Sequence, residues 1–167
     1  VWKIAGALGK QAHIIVGESS GSIRQMLDRF HTSEYAEDMF ITKAQAMGFV
    51  DEDTVLVVVD VNRPSLTEAP ELIDIAETIV VFDHHRQGTE SIEQATLSYI
   101  EPYASSACEM IAEIVQYVDD NIKMRNAEAD AMYAGIAVDT YNFSIHKDSG
   151  KTLSQIRKTY MEENGEM

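Results

Sequence analysis

Five residues of types that bind metal ions follow apolar stretches of this sequence. Asp60 comes directly after one apolar run, Asp83, His84 and His85 come after a second, and Asp139 comes after a third. An ionised aspartate is costly in a dry core unless it is paired, and a bound cation is one such partner. Carboxylate oxygens and imidazole nitrogens together suit manganese, iron or zinc.

Each of these pieces also has an ordinary structural explanation. A single aspartate at the end of a strand is most often a turn or helix-cap residue, because its side chain bonds nearby backbone groups. An isolated histidine pair is often a surface feature or a hydrogen-bonded one. The combination favours a metal site, because all three acidic positions follow apolar runs and can converge on one edge.

The elements that must carry these residues alternate between strand and helix. Residues 12–16 predict a strand, and a helix follows with Ile23, Met26, Leu27 and Phe30 on its buried face. The runs 54–59 and 78–82 lack polar alternation, which is typical of central parallel strands, and a short helix is predicted over 71–76. The fold class is therefore α/β, with an open, mostly parallel sheet and helices on both faces. Ligands bind at the carboxyl ends of such strands, where Asp60 and Asp83 lie.

The later part of the chain is mostly helical. Ser105 is predicted as the N-cap of a helix over 106–118, with Glu109 near the positive end of the helix dipole. A second helix over 127–138 is rich in small residues, which suggests close packing. Residues 144–167 are predicted to be a tail or linker helix of uncertain attachment.

Composition excludes several classes of function. The 167 residues, 45% hydrophobic and 25% charged, suit one globular domain. A net charge of −15 disfavours binding to duplex nucleic acid, because that affinity comes from Lys and Arg. No apolar run is long enough to cross a bilayer, so this chain itself is expected to be soluble. The single Cys108 fits a reducing cytoplasm and is expected to be a packing residue rather than a nucleophile.

Four ordered motifs also resemble a known family. They are Val58-Val59-Asp60-Val61-Asn62-Arg63-Pro64-Ser65, Val81-Phe82-Asp83-His84-His85-Arg86, Ile100-Glu101-Pro102-Tyr103-Ala104-Ser105-Ser106-Ala107 and Gly135-Ile136-Ala137-Val138-Asp139-Thr140. The order of the four motifs resembles that in the DHH phosphoesterases. Their residues are most similar to those of the membrane-anchored bacterial phosphodiesterases that hydrolyse cyclic di-AMP. The resemblance predicts a DHH domain over residues 1–143.

The resemblance implies a role for each of the residues named above. Asp60 would bridge two metal ions, and His84 and Asp139 would be further ligands of one of them. His85 would face the phosphate. Asp83 would orient a histidine ring from outside the metal sphere, as carboxylates commonly do around metal-bound imidazole.

Three more residues are candidates for contact with the substrate. Arg86 would neutralise a phosphate oxygen, although a surface salt bridge explains it equally well. Ser105 and Ser106, at the start of a helix, would donate hydrogen bonds to a phosphate, although plain helix capping explains them at least as well.

The reaction that the resemblance implies is hydrolysis of a cyclic dinucleotide, cyclic di-AMP, to linear pApA. Two Mn²⁺ ions, or Mg²⁺ or another divalent metal, would lower the pKa of a water molecule and stabilise the leaving oxygen. The parent protein is expected in the cytoplasm or at the cytoplasmic face of the cell membrane, with membrane anchoring outside this chain. A homodimer is a further expectation.

The sequence departs from the family in two places. The family's H-x-D-x-D metal motif and its C-terminal substrate domain have no counterpart in these 167 residues. The metal motif is expected in a segment of the parent protein that precedes Val1. The isolated chain is therefore expected to be inactive, and the parent protein is expected to be active.

Three other interpretations remain open. Inorganic pyrophosphatases of the second type also have a D-H-H-R motif and a similar E-P motif. The residues Arg63-Pro64-Ser65 favour the cyclic-dinucleotide phosphodiesterases instead. A non-catalytic module that binds metal or nucleotide is the second. An unrelated doubly wound domain is the third, and it lacks the glycine-rich loop that would cradle a nucleotide.

Overall fold

A computed structural model of the protein describes residues 1–17, 21–32, 34–119 and 122–140. The chain divides into two compact units, one formed by residues 13–102 and the other by residues 1–12 with those from 103 onward. The elements in chain order are α1 (Trp2–Ala7), β1 (Ile14–Ile15), α2 (Gly21–Asp28), β2 (Phe40–Ile41), α3 (Lys43–Ala46), β3 (Val55–Val59), a 3-10 helix (Pro64–Leu66), α4 (Pro70–Ile75), β4 (Thr78–Asp83), β5 (Leu97–Ile100), α5 (Ala107–Val118) and α6 (Asn126–Asp139). The prediction for residues 144–167 lies outside the described residues.

The unit of residues 13–102 contains two parallel sheets. Strands β1 and β2 pair with each other, and β3, β4 and β5 form a three-stranded sheet in that order. Val55 pairs with Thr78 and Val59 with Phe82, while Val80 pairs with Leu97. All described strand pairs are parallel, so the predicted α/β class with a parallel sheet and flanking helices is confirmed.

Apolar side chains of β3 and β4 form a core on one side of this sheet. Val58, Ile79 and Val81 are buried together with Ile73 of α4 and Ile92 of the loop before β5. Burying side chains of this kind stabilises a fold by roughly 1.5–3 kcal/mol each. The core therefore fixes β3 and β4 side by side, and with them the points at which both strands end.

The expectation that β3 is a central strand, covered on both faces, is not met in the described sheet. Strand β4 is the middle strand of the three, and β3 lies at the edge of the described sheet. Val55 and Val59 at the two ends of β3 are exposed, whereas Val58 is buried. An unbroken apolar run reports β-propensity as well as burial, so it could not distinguish an edge strand from a central one.

The second unit is built from helices. Ala112 of α5 packs against Ile136 of α6, with Cys108 and Met132 beside them. A Cβ atom at Gly135 would overlap the Cys108 sulfur, so the close approach of α5 and α6 requires a glycine. The small residues predicted to allow close packing are thus used at this contact.

The predicted bounds of α4, α5 and α6 differ from the observed ones by one residue at one or both ends. Helix α6 is one residue longer at each end than predicted, so Asp139 is its last residue. On α2, Phe30 follows the helix and is buried as predicted, but Ile23 is exposed. Among the described helices, none combines the length and the apolar character needed to cross a membrane.

Candidate functional site

Strands β3 and β4 bring their acidic residues to one edge of the sheet. The Asp60 N–H donates to the Phe82 carbonyl at 2.9 Å, and the Glu101 N–H after β5 donates to the Asp83 carbonyl at 2.9 Å. Both bonds continue the parallel ladder by one residue beyond β3 and β5. The predicted meeting of Asp60 with the Asp83, His84 and His85 segment at the carboxyl ends of adjacent strands is therefore what the structure shows.

Asp60 has an unusual backbone conformation. Its φ of 65° is the single positive value among the described non-glycine residues. Aspartate tolerates the left-handed region better than most residues, and such conformations cluster at functional sites. The turn at Asp60 ends β3 and leaves its side chain 52% exposed, at the sheet edge.

His84 and His85 lie next to Asp60. The His84 Nε2 atom is 3.3 Å from Asp60 Oδ1, and the His84 side chain is only 10% exposed. The two imidazole rings are 4.4 Å apart between centroids. One ligand atom from each of Asp60, His84 and His85 lies within 4.8 Å of the others. We call these three residues the ligand trio.

The ligand trio has a geometry that fits a divalent metal ion. Two neighbouring ligands bound at about 2.1 Å in tetrahedral or octahedral geometry lie about 3.0–3.4 Å apart. The His84 to Asp60 distance of 3.3 Å agrees with this spacing. Asp60 and His84 therefore have the spacing of two ligands of one ion, and the more exposed His85 ring lies beside them.

Asp83 is the buried partner of the His85 ring. Its side chain is 0% exposed, and its Oδ1 atom lies 2.7 Å from His85 Nδ1. Oδ1 also accepts from the His85 N–H at 3.2 Å, and Oδ2 accepts from Asn62 Nδ2 at 2.6 Å. These donors compensate the burial of a carboxylate. Asp83 thus contacts the His85 ring, and its predicted role of orienting that ring stays a prediction.

Asn62 is a site residue that the sequence analysis missed. It is buried, two residues after Asp60, and its amide reaches both Asp83 and the carbonyl of His85. In the sequence, Asn62 is only a polar residue two positions after Asp60, within the first family motif. Its burial and its contact with Asp83 depend on the fold, so the sequence did not predict them.

A second connection joins the segments that follow β3 and β4. The Ser65 N–H donates to Glu90 Oε1, and the Ser65 hydroxyl donates to Glu90 Oε2, both at 2.8 Å. The Ser65 N–H, then its hydroxyl, and the positive charge of Arg63 lower the pKa of Glu90. The Arg63 guanidinium also lies against Gly88, where a Cβ atom would be 3.2 Å away. We call the Ser65 and Glu90 pair the loop clasp.

The predicted N-cap of α5 is wrong by one residue. Ser106 is the N-cap, with an extended backbone, and its hydroxyl oxygen accepts from the Glu109 N–H at 3.0 Å. The Ser105 N–H donates to Glu109 Oε2 at 2.7 Å, and the Ser105 hydroxyl donates to the same oxygen. The Ser106 hydroxyl satisfies one of the free N–H groups of the first helical turn. The Ser105 hydroxyl donates to Glu109, and contact of these serines with a substrate stays a prediction.

The structure gives the positions of two further predicted site residues but does not test their roles. Arg86 is exposed, directly after the ligand trio. Asp139 is half-buried as the last residue of α6, in the helical unit. The roles predicted for Arg86 at the phosphate and for Asp139 at the metal stay predictions.

Comparison with known proteins gives the family of the chain. Residues 8–136 match the DHH family, N-terminal domain. The cyclic-di-AMP phosphodiesterase GdpP of Bacillus subtilis is 38% identical over 151 residues, which cover 89% of this chain and 23% of that protein. The cyclic-di-AMP phosphodiesterase PdeA of Listeria monocytogenes is 35% identical over 151 residues, with the same coverage of 89% and 23%. A probable manganese-dependent inorganic pyrophosphatase of Thermotoga maritima is 31% identical over 111 residues, 66% of this chain and 19% of that protein.

A solved structure has the same fold. An exopolyphosphatase-related protein from Bacteroides fragilis superposes with a TM-score of 0.72 at 15% identity, over 98% of this chain and 48% of its own. This likeness shows the fold alone. The chain spans 23% of the length of the Bacillus and Listeria relatives. The four motifs had predicted the same family, and with the match over residues 8–136 the conclusion is that this chain belongs to the DHH family.

Proposed function

We propose that this chain supplies part of the active site of a metal-dependent phosphodiesterase that hydrolyses cyclic di-AMP to linear pApA. The observation that carries the proposal is the meeting of Asp60, His84 and His85 at the ends of β3 and β4. The Bacillus and Listeria relatives are cyclic-di-AMP phosphodiesterases by name, which supports this choice of substrate.

The metal chemistry follows from the donor types in the ligand trio. A pair of divalent ions, when bound, lowers the pKa of a water molecule and neutralises charge on the phosphate. Asp60, His84 and Asp139 would hold the metal in this proposal. Mixed oxygen and imidazole donors suit Mn²⁺ better than Mg²⁺. Asp60, His84 and Asp139 alone would provide too few donors for two ions, so further ligands would come from other segments.

His85 acts on the substrate in this proposal. Its Nδ1 atom is 2.7 Å from the Asp83 carboxylate, which only accepts hydrogen bonds when ionised. Nδ1 therefore holds the proton of the neutral ring, and Nε2 is left to face the phosphate or a metal ion. Arg86 follows directly in the chain and adds a positive charge for a phosphate oxygen.

A pyrophosphatase is the second candidate, because the Thermotoga relative is a probable manganese-dependent inorganic pyrophosphatase. Hydrolysis of cyclic di-AMP, linear pApA and pyrophosphate by the full-length protein in Mn²⁺ separates the two. We expect the highest kcat/KM for cyclic di-AMP. A preference for pyrophosphate would replace the proposed substrate, and Mn²⁺ binding without hydrolysis of any of the three would indicate a binding module.

Location and assembly also belong to the proposal. We propose a cytoplasmic site, at the cytoplasmic face of the cell membrane where the full-length protein is anchored. The single Cys108 agrees with a reducing compartment. Homodimer formation stays a prediction, which measurement of molecular mass in solution tests.

A further inference from the structure

Asn62 connects the two segments that carry the ligand trio. It is only 4% exposed. Its Nδ2 atom donates to Asp83 Oδ2 at 2.6 Å and to the His85 carbonyl at 3.3 Å. The reverse orientation of the amide would place Oδ1 against a carboxylate oxygen, and two acceptors repel each other. The amide orientation is thus fixed by its partners.

The bond from Asn62 determines how Asp83 can act on His85. Asn62 holds one oxygen of the Asp83 carboxylate, and His85 Nδ1 contacts the other. With both oxygens engaged, the carboxylate plane cannot rotate without breaking a buried hydrogen bond. A fixed carboxylate fixes the plane of the His85 ring and keeps its proton on Nδ1.

Asn62 also restrains the segment that carries Asp60. Asp60 is two residues earlier, has a φ of 65°, and is bonded through its N–H to the Phe82 carbonyl. The hydrogen bond from Asn62 to the His85 carbonyl connects this segment after β3 to the segment after β4. One side chain therefore spans from the end of β3 to the end of β4.

We propose that Asn62 is a positioning residue of the metal site, which acts through Asp83 on the His85 ring and through the turn on Asp60. The inference rests on the proposed function, in which Asp60 and His84 would hold a divalent ion and the His85 Nε2 atom faces the phosphate or a metal ion. Residues that support metal ligands in this way typically contribute about 10- to 100-fold in metal affinity.

The test compares Asn62→Leu with Ser65→Ala. The first variant removes the amide donor and keeps a similar volume, and the second disturbs the same segment while leaving the bond from Asn62 to Asp83 in place. Nitrogen NMR of the metal-free chain at about pH 8, above the usual histidine pKa of about 6.5, reports the ring tautomer. Titration calorimetry with Mn²⁺ reports the affinity.

We expect the wild-type chain and Ser65→Ala to show His85 protonated at Nδ1, and their Mn²⁺ affinities to agree within about twofold. In Asn62→Leu the two tautomers should be mixed, and the Mn²⁺ affinity should fall by about 10- to 100-fold. If Asn62→Leu does not fold, Asn62→Ala is the second variant. Its smaller side chain leaves space for water to hydrogen-bond the Asp83 carboxylate.

The outcomes separate this inference from the proposed function. A wild-type tautomer and wild-type Mn²⁺ affinity in a folded Asn62 variant would overturn the positioning role alone. A wild-type chain that binds no Mn²⁺ would overturn the metal site, while the NMR comparison would still decide whether Asn62 orients His85. If neither Asn62 variant folds, the residue is structural and the inference is rejected.

Discussion

Asp60 combines two properties that a single residue type rarely satisfies together. Its backbone lies in the left-handed region at φ 65°, and its carboxylate lies 3.3 Å from His84 Nε2. Glycine would suit the backbone but carries no ligand, and most other residues would be strained there. Aspartate and asparagine are the residues that accept this conformation and still present an oxygen.

The backbone requirement at Asp60 predicts an unusual order of stabilities. Asp60→Gly should be more stable than Asp60→Ala by about 0.5–1 kcal/mol, because alanine pays the left-handed penalty and glycine loses more entropy on folding. Urea unfolding followed by circular dichroism measures the difference. At an ordinary helical position the order is reversed, so greater stability of Asp60→Ala would show that the turn relaxes.

At the level of the elements, the segments after β3 and β4 are held by side chains rather than by the ladder alone. The loop clasp joins Ser65 to Glu90, and Asn62 joins the same two segments closer to the sheet. At α5, the capping bonds of Ser105, Ser106 and Glu109 fix where the helix begins. These contacts are polar and lie outside the apolar core.

The loop clasp predicts a dependence of stability on pH. The pKa of Glu90 is lowered in the folded protein, so its contribution is fully present above its ordinary value of 4.5 and is lost as the pH falls through the lower folded value. The difference in Tm between the wild type and Glu90→Gln should therefore shrink as the pH falls from about 7 to about 3. Glu93→Gln, another exposed glutamate of the same loop, is the control. A difference that stays constant with pH would contradict the clasp.

The N-cap assignment predicts different effects for two adjacent serines. Ser106→Ala removes the acceptor for the Glu109 N–H and should cost about 0.5–2 kcal/mol of stability. Ser106→Asp keeps a capping acceptor and should restore most of that loss, unless its larger side chain cannot be buried there. Thermal unfolding measures both variants. Equal stability of Ser106→Ala and the wild type would reject Ser106 as the cap.

The protein has a net charge of −15, which disfavours the binding of an anionic substrate. Like charges repel a phosphate unless cations reverse the local sign. A bound ion and the positive charge of Arg86 provide that reversal in the proposed function. Metal binding should therefore couple to folding stability as well as to substrate binding.

Metal binding predicts a concentration-dependent rise in Tm. An ion that binds only the folded chain stabilises it by about 2.7 kcal/mol at 100 times its Kd. Mn²⁺ should raise the Tm of the wild type and of Asp74→Ala, an exposed acid on α4, but not that of Asp60→Ala, His84→Ala or Asp139→Ala. Differential scanning calorimetry with and without a chelator checks this. An equal rise in all variants would reject these ligands.

The α/β class, the strands β3 and β4 and the edge at which the ligand trio meets could all be predicted from sequence. Each follows from local information: an apolar run predicts a strand, and the residue after the run lies at the strand end. The family motifs were likewise local strings, and they predicted the DHH family without any tertiary contact.

The side chains that support that edge are set by contacts between segments distant in the chain. Strand β5 has no long apolar run and exists through its pairing with β4. Asn62 meets Asp83 across 21 positions, and Ser65 meets Glu90 across 25. The N-cap of α5 moved from Ser105 to Ser106 because backbone geometry, not residue type, selects between adjacent serines. Contacts between distant segments depend on how strands pair and pack, and no local pattern encodes that pairing.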